Sequence, residues 1–318
     1  MTAPTNLVTG ATPNVGVRED LSNIIHRVAP EKTPFISNIG KSKAKATYHE
    51  WQTETLATPS ATNAQLEGDD VGTLGAANLT TRVGNICQIA TKTGGVSRTQ
   101  EVVDKAGRDS ELARQKALKG IELRRDLEAR FTGNYASVAE SGATTRKSAG
   151  LLAFLTSNVS RGSGGSSGGF SNGIVAAATP GTQRTWTEAL LKSVMATAFG
   201  NGASPSQIYM GPTHKQQFSA FTGIADIRKD AGAGLATIVA GAEIYVSDFG
   251  DLTAIPHPYG YTRDAALVDP EMAAVAMLDG YKTTPLAKTG DSERFLMTVE
   301  ACLEVKNEKA HGVVADLT

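Results

Sequence analysis

The chain reads as an α+β fold in which strands are segregated from one long helix instead of alternating with it. Three observations predict this. Over residues 295–305, Phe295, Met297, Val299, Ala301, Leu303 and Val305 occupy every second position, which puts one face of a strand in a core. Over about 109–131 the pattern turns helical, and at ~1.5 Å per residue such a helix is roughly 35 Å long, enough to brace a domain. Two earlier runs, 43–56 and 79–96, are rich in β-branched and aromatic residues yet polar on much of both faces.

In chain order, residues 1–40 are rich in Thr, Asn, Pro and Gly, with one short apolar helix candidate at 21–28 behind Arg18, Glu19 and Asp20; this predicts an arm. The runs 43–56 and 79–96, with Thr47, Tyr48, Trp51, Val83, Ile86 and Ile89, pair as a long hairpin. The segment between them carries Pro59, Gly68, Asp69, Asp70, Gly72 and Gly75, which is turn chemistry. A hairpin with so little apolar surface is marginal alone in water. It is expected to lean on another subunit, with Tyr48, Glu50, Trp51 and Arg82 as contact residues.

Ser97 and Gln100 stand at capping-box spacing and open a short helix that Gly107 interrupts. The long helix carries two apolar stripes, Ala113, Ala117 and Ile121 along one and Leu123, Leu127 and Phe131 along the other. Arg124 with Glu128 and Asp126 with Arg130 set opposite charges four apart. The apolar period is not kept as a heptad, which argues against a coiled coil. Residues 156–183, TSNVSRGSGGSSGGFSNGIVAAATPGTQ, predict a flexible surface loop whose positions 160–173 tolerate deletion. Thr185 and Glu188 mark a helix over 185–199, a strand follows at 207–210, and Pro212 suits the first turn of a helix over 213–221. Strands are expected at 237–247, 253–255, 265–268 and 273–278, before the alternating one.

With 318 residues the chain has room for about two domains. Its 31 Lys+Arg against 32 Asp+Glu leave no basic field for tight nucleic-acid binding. Lys116, Lys119, Arg124 and Arg125 are interleaved with Glu122, Asp126 and Glu128 and read as a solvated face. Cys87 and Cys302 are far apart and without partner motifs, which suits a reducing cytoplasm or a protein indifferent to thiol chemistry. The amino terminus lacks the basic start and apolar run of a signal peptide, and no apolar stretch approaches the ~18 residues of a membrane span. The expectation is a soluble intracellular product with no membrane partner.

Catalytic patterns are weak. Gly164, Gly165, Ser166, Ser167 and Gly168 fit Gly-x-Ser-x-Gly, but inside a Gly/Ser tract with no strand leading into a helix. Gly40, Lys41 and Ser42 echo the end of a phosphate-binding loop whose required first glycine would fall at Phe35. His26, His49, His214, His257 and His311 are scattered with no metal-ligand spacing, and His214 and His311 read as ordinary hydrogen-bonding residues. Neither a cofactor nor a metal is expected, and an enzyme lacks a convergent site.

Several strings, in order and at plausible spacing, carry a family resemblance. They are REDL at 18–21, TPF at 33–35, YHEWQTETL at 48–56, YVSDFG at 245–250 and LAKTGDSERFLMTVEACLEVKNEKAHGVVADL at 286–317. Together they resemble the major capsid proteins of tailed bacteriophages, nearly end to end. That resemblance implies the Hong Kong 97 capsid fold: an amino-terminal arm (1–40), an extended hairpin loop (41–96), a peripheral domain with a spine helix within 97–135 and the Gly/Ser-rich loop (97–184), an axial domain (185–262), and returning strands of the peripheral domain (263–318). The chain departs from the family in that loop, and Leu152 stands where proline commonly follows the stretch at 146–151.

The resemblance further implies a virion protein, assembled in the host cytoplasm, that forms pentamers and hexamers of itself. Its partners would be a portal, scaffolding or decoration proteins, and double-stranded DNA held weakly and without specificity. The chain starts almost at the arm, so a separate scaffolding protein, or none, is expected. In the loop 223–236 the clustered charges Asp226, Arg228, Lys229 and Asp230 would line the capsomer axis. The alternative is another structural phage subunit, a tail-tube or decoration protein, which would be a compact barrel or sandwich.

Overall fold

The structure, a computed structural model, describes residues 25, 27–68, 70, 72, 75, 77–221 and 244–318. The predicted helix at 21–28 and the charged loop 223–236 therefore fall largely or wholly outside the described residues. What was expected to be the end of an arm is core: α1 (Pro34–Asn38) buries Phe35 and Ile36. Proline at its start costs no hydrogen bond there, and the next two amides, of Phe35 and Ile36, donate to the Glu128 carboxylate at 2.7 and 2.8 Å.

A four-stranded sheet forms the first layer. β1 (Gly40–Lys43) runs parallel to β12 (Ala273–Pro285), which pairs antiparallel with β13 (Ser292–Val305), and β4 (Gln88–Ser97) closes the order β1-β12-β13-β4. The hairpin is shorter than the two runs predict. β2 (Tyr48–Thr53) pairs with β3 (Thr81–Ile86), but at Cys87 the chain leaves this ladder and continues as β4 beside β13. Alternation in β13 holds on the predicted face, where Phe295, Val299, Ala301, Leu303 and Val305 are buried; Cys302 is buried on the other.

Across this sheet lies the spine. α2 (Arg98–Val102) starts where predicted, with Ser97 accepting from the Gln100 amide at 3.3 Å. α3 (Glu111–Thr132) spans 22 residues, about 33 Å. Only one of its predicted stripes is buried: Leu123, Leu127 and Phe131 are inside, whereas Ala113 and Ala117 are exposed. The predicted ion pairs along the helix do not form, because each group has a tertiary partner in better geometry. Asp126 meets Lys92 of β4 at 2.7 Å. Arg130 donates to the Ser148 and Ala136 carbonyls at 2.6 and 2.8 Å. Glu128, fully buried, caps α1 and accepts from His257 at 3.1 Å.

The Gly/Ser-rich segment carries regular structure where a featureless surface loop was expected. After α4 (Leu151–Phe154) it forms β5 (Val159–Ser160), then the ladder of β6 (Gly169–Ser171) with β7 (Ile174–Ala176). Its glycines serve close approach: a Cβ on Gly162 would meet the Thr182 carbonyl oxygen at 2.0 Å, and one on Gly168 the Ala176 carbonyl oxygen at 2.0 Å. The buried Asp316 carboxylate ties both ends together, accepting from the amides of Gly162 at 3.0 Å and Gly181 at 2.9 Å.

The second layer is a six-stranded sheet of order β5-β14-β11-β8-β10-β9. It is built from β8 (Gln207–Met210), β9 (Ile244–Ser247), β10 (Gly250–Pro256), β11 (Ala265–Val268) and β14 (Gly312–Val314), and flanked by α5 (Glu188–Gly200) and α6 (Pro212–Ser219). α5 begins three residues later than predicted, because Trp186 is pulled into the core beside His214, Phe218 and Phe221. Strands β8 and β11 are buried on both faces. Ile208, Met210, Ala265 and Leu267 face the core under α5 and α6, while Tyr209, Ala266 and Val268 face the one under α3. The segment 263–318 thus contributes to both sheets.

Candidate assembly surface

The hairpin is a ladder with a buried root and an extension whose described residues are exposed. Facing pairs run from Tyr48 with Ile86 to Thr53 with Thr81. Strand alternation sends Trp51 and Val83 to one face, where both pack against the chain's own core, Trp51 with its ring 6.2 Å from that of Phe154. Within its own chain Trp51 is only partly covered, with Phe154 of α4 among the residues beside it. Glu50 and Arg82 point to solvent. Tyr48 is half-buried and lines a cleft of about 410 Å³ with Ile86, Arg146 and Ile174, and burial, with the Glu50 charge adding, pushes its phenol above the usual range.

Asn85 holds the root. Its amide donates to Ser148, Ala149 and Leu303, and its oxygen accepts from the amides of Ile86 and Ala149 at 2.9 Å, all fully buried. A buried amide with its groups satisfied specifies one geometry. No sequence signal singled it out. Beyond the ladder, residues 54–80 form neither helix nor strand where described, and Leu56, Leu66 and Leu79 are 88, 81 and 82 % exposed. From 54 to 81 the chain carries Glu54, Glu67, Asp69 and Asp70 and no Lys or Arg.

A second surface lies at the far end of the spine, where α3 and the turn between β12 and β13 leave a groove of about 410 Å³. Leu112, Pro285, Leu286 and Phe295 supply its apolar wall, with Lys116, Lys288 and Arg294 beside Glu293. The basic side of α3 is otherwise satisfied internally: Lys119 pairs with Glu122 at 2.8 Å, Arg124 donates to Ser37 at 2.9 Å, and Arg125 lies 5.5 Å from the Tyr259 ring centre. Both histidines predicted to be structural are hydrogen-bonded, His214 to the Tyr261 carbonyl and His311 to Asp269 and Met272. Ser166 is exposed in a bridge with Thr179, and Gly40, Lys41 and Ser42 form β1. No helix among the described residues is long and apolar enough to cross a membrane, and none of their His, Cys, Asp and Glu form a group of three able to hold a metal ion.

Comparison with known structures gives the fold. The capsid asymmetric unit of cyanophage A-1(L) superposes with a TM-score of 0.63 at 12 % identity, covering 98 % of this chain and 100 % of that one. A capsid of a native GTA particle gives 0.60 at 14 %, covering 99 and 100 %, and a protein of Mycobacterium phage Adephagia gives 0.60 at 12 %, covering 98 % of each. This is the Hong Kong 97 type of capsid fold. In sequence, the chain is 36 % identical over 113 residues to the major capsid protein of Escherichia phage Phieco32, a match spanning 36 % of this chain and about a third of that relative's length, 32 %. The model of one family, described as SU10 major capsid protein, matches residues 3–318, and the chain belongs to that family of structural virion proteins.

Proposed function

We propose that copies of this chain associate into pentamers and hexamers that close as an icosahedral shell around double-stranded DNA, in the head of a tailed phage and after assembly in the host cytoplasm. The bare extension at 54–80 carries this reading: three leucines that are at least 81 % exposed in one copy are costly to leave in water and find cover in another. Glu50 and Arg82, which face solvent, belong to that contact, and Tyr48 and Trp51 hold the root from which the extension reaches out. Charge complementarity favours the groove between α3 and the β12–β13 turn of a neighbour as the receiving surface, since the extension is acidic and Lys116, Lys288 and Arg294 rim the groove. Repeated head-to-tail contacts of this kind close into rings when the rotation permits.

The division into arm, hairpin loop, peripheral domain and axial domain follows the same reading. Asp226, Arg228, Lys229 and Asp230 would then meet their copies around the capsomer axis, where wet ion pairs contribute about 0–1 kcal/mol each. A portal and, where present, scaffolding or decoration proteins contact the assembled shell. DNA is held weakly, because the net charge of −1 supplies little phosphate affinity. The role is geometric, with no catalytic step. Electron microscopy of the purified protein tests it: shells are expected, and Arg228→Glu with Lys229→Glu lowers their yield more at low salt than at high, as screening weakens like-charge repulsion. Tubes would favour a tail-tube subunit, and no particles under any condition would overturn the reading.

A further inference from the structure

Cys87 and Cys302 are both free and fully buried, and their sulfurs lie 3.1 Å apart although 215 positions separate them in sequence. The register between β4 and β13 explains the meeting. It runs from Ser97 opposite Ser292 to Gln88 opposite Ala301, and one step further sets Cys87 opposite Cys302. Facing residues on antiparallel strands have Cα atoms about 4.5–5.5 Å apart, inside the roughly 4.4–6.8 Å that a disulfide spans. Ala44 and Ala276 pack around the pair, with Leu278 against them. Cys87 is also where the chain passes from the hairpin into the four-stranded sheet, its amide donating to the Thr47 carbonyl at 2.7 Å.

We propose that Cys87 and Cys302 form an intrachain disulfide on exposure to a peroxide, fastening the hairpin root to β13. The Cys87 thiolate attacks one peroxide oxygen, the O–O bond breaks, and a sulfenic acid and hydroxide result. The Cys302 sulfur then displaces the hydroxyl group from the Cys87 sulfur, which forms the S–S bond and releases water. The two thiols lose two electrons and two protons, and the peroxide leaves as two waters. Order follows from the shared hydrogen bond. The hydrogen bond shared with Cys302 lowers the Cys87 thiol, whereas the same contact and burial raise that of Cys302, so Cys87 is the thiol that ionises and Cys302 the one that resolves. Full burial keeps bulky disulfide oxidants away while the root is closed, which is why a small peroxide is the reagent.

The test uses the full chain, reduced and desalted, then treated with hydrogen peroxide, denatured, and its free thiols counted. Free thiols are expected to fall from two per chain to none, with a peptide joining positions 87 and 302 recovered by non-reducing mapping. The thermal midpoint should rise and return on adding a dithiol reductant. Cys302→Ser should instead accumulate oxygen on Cys87; if that variant does not fold, Cys302→Ala keeps the apolar packing and serves the same comparison. Two retained thiols, sulfinic acids without a cross-link, or links only between chains would each overturn the proposal.

Discussion

His311 is fully buried, accepting from the Asp269 amide through Nδ1 at 3.2 Å and donating from Nε2 to the Met272 carbonyl at 3.3 Å. This pairing sets the neutral tautomer. Burial pushes its pKa down to about 4 from the ordinary 6.5, against the smaller upward pull of the Met272 hydrogen bond and the nearby Asp269 and Glu308 charges. On acidification the unfolded chain takes up this proton first, so the contribution to stability is complete above pH 6.5 and is lost as pH falls towards 4. The loss is on the order of 3 kcal/mol. Buried His214, also lowered by burial, acts with the same sign. Thermal midpoints of the wild type between pH 7 and 4.5 should therefore fall more steeply than those of His311→Gln. Equal slopes in the two proteins would exclude His311 as the source.

At the scale of elements, the Gly/Ser-rich segment shows how composition misleads. Glycine and serine suggest backbone freedom, yet here glycine lets main chains touch, and freedom is lost to the Asp316 carboxylate and two short ladders. Gly162→Ala should cost about 1–3 kcal/mol, since the Thr182 carbonyl is main chain and cannot turn aside. Gly72→Ala, with nothing within 4 Å of its Cβ, should be within about 0.5 kcal/mol of wild type. Denaturant titration of both variants measures the contrast, and a neutral Gly162→Ala would restore the picture of a loose loop. The long helix teaches a related lesson. Its approximate extent and its Leu123, Leu127, Phe131 stripe were legible because apolar period is local, but its charges went to partners on β4, α1 and 136–148 that spacing along one helix cannot name.

At the scale of the molecule, stability and assembly separate. Among the described residues of 54–80 none belongs to the buried core, so replacing Leu56, Leu66 and Leu79 together by Ser should leave the monomer's thermal midpoint nearly unchanged, each exposed site contributing within about ±0.5 kcal/mol. Particle yield should drop sharply, read by sedimentation and electron microscopy. Normal shells from this variant would sink the docking role of the extension, and a large fall in midpoint would mean that these leucines are covered within their own chain.

Local grammar was enough for much of this protein: the cap at Ser97, proline at the start of α6, the bounds of β8 and β11, and the alternation of β13 each depend on residues a few positions apart. The strings shared with capsid proteins made the family legible as well. Tertiary structure alone decided which strands adjoin, that Phe35 belongs to the core, that Glu128 caps a helix 93 positions away, and that two distant cysteines touch. Those outcomes depend on where the chain returns in space. A buried carboxylate or amide takes whichever partner the packed layers deliver to it, and separation along the chain places no limit on which one that is.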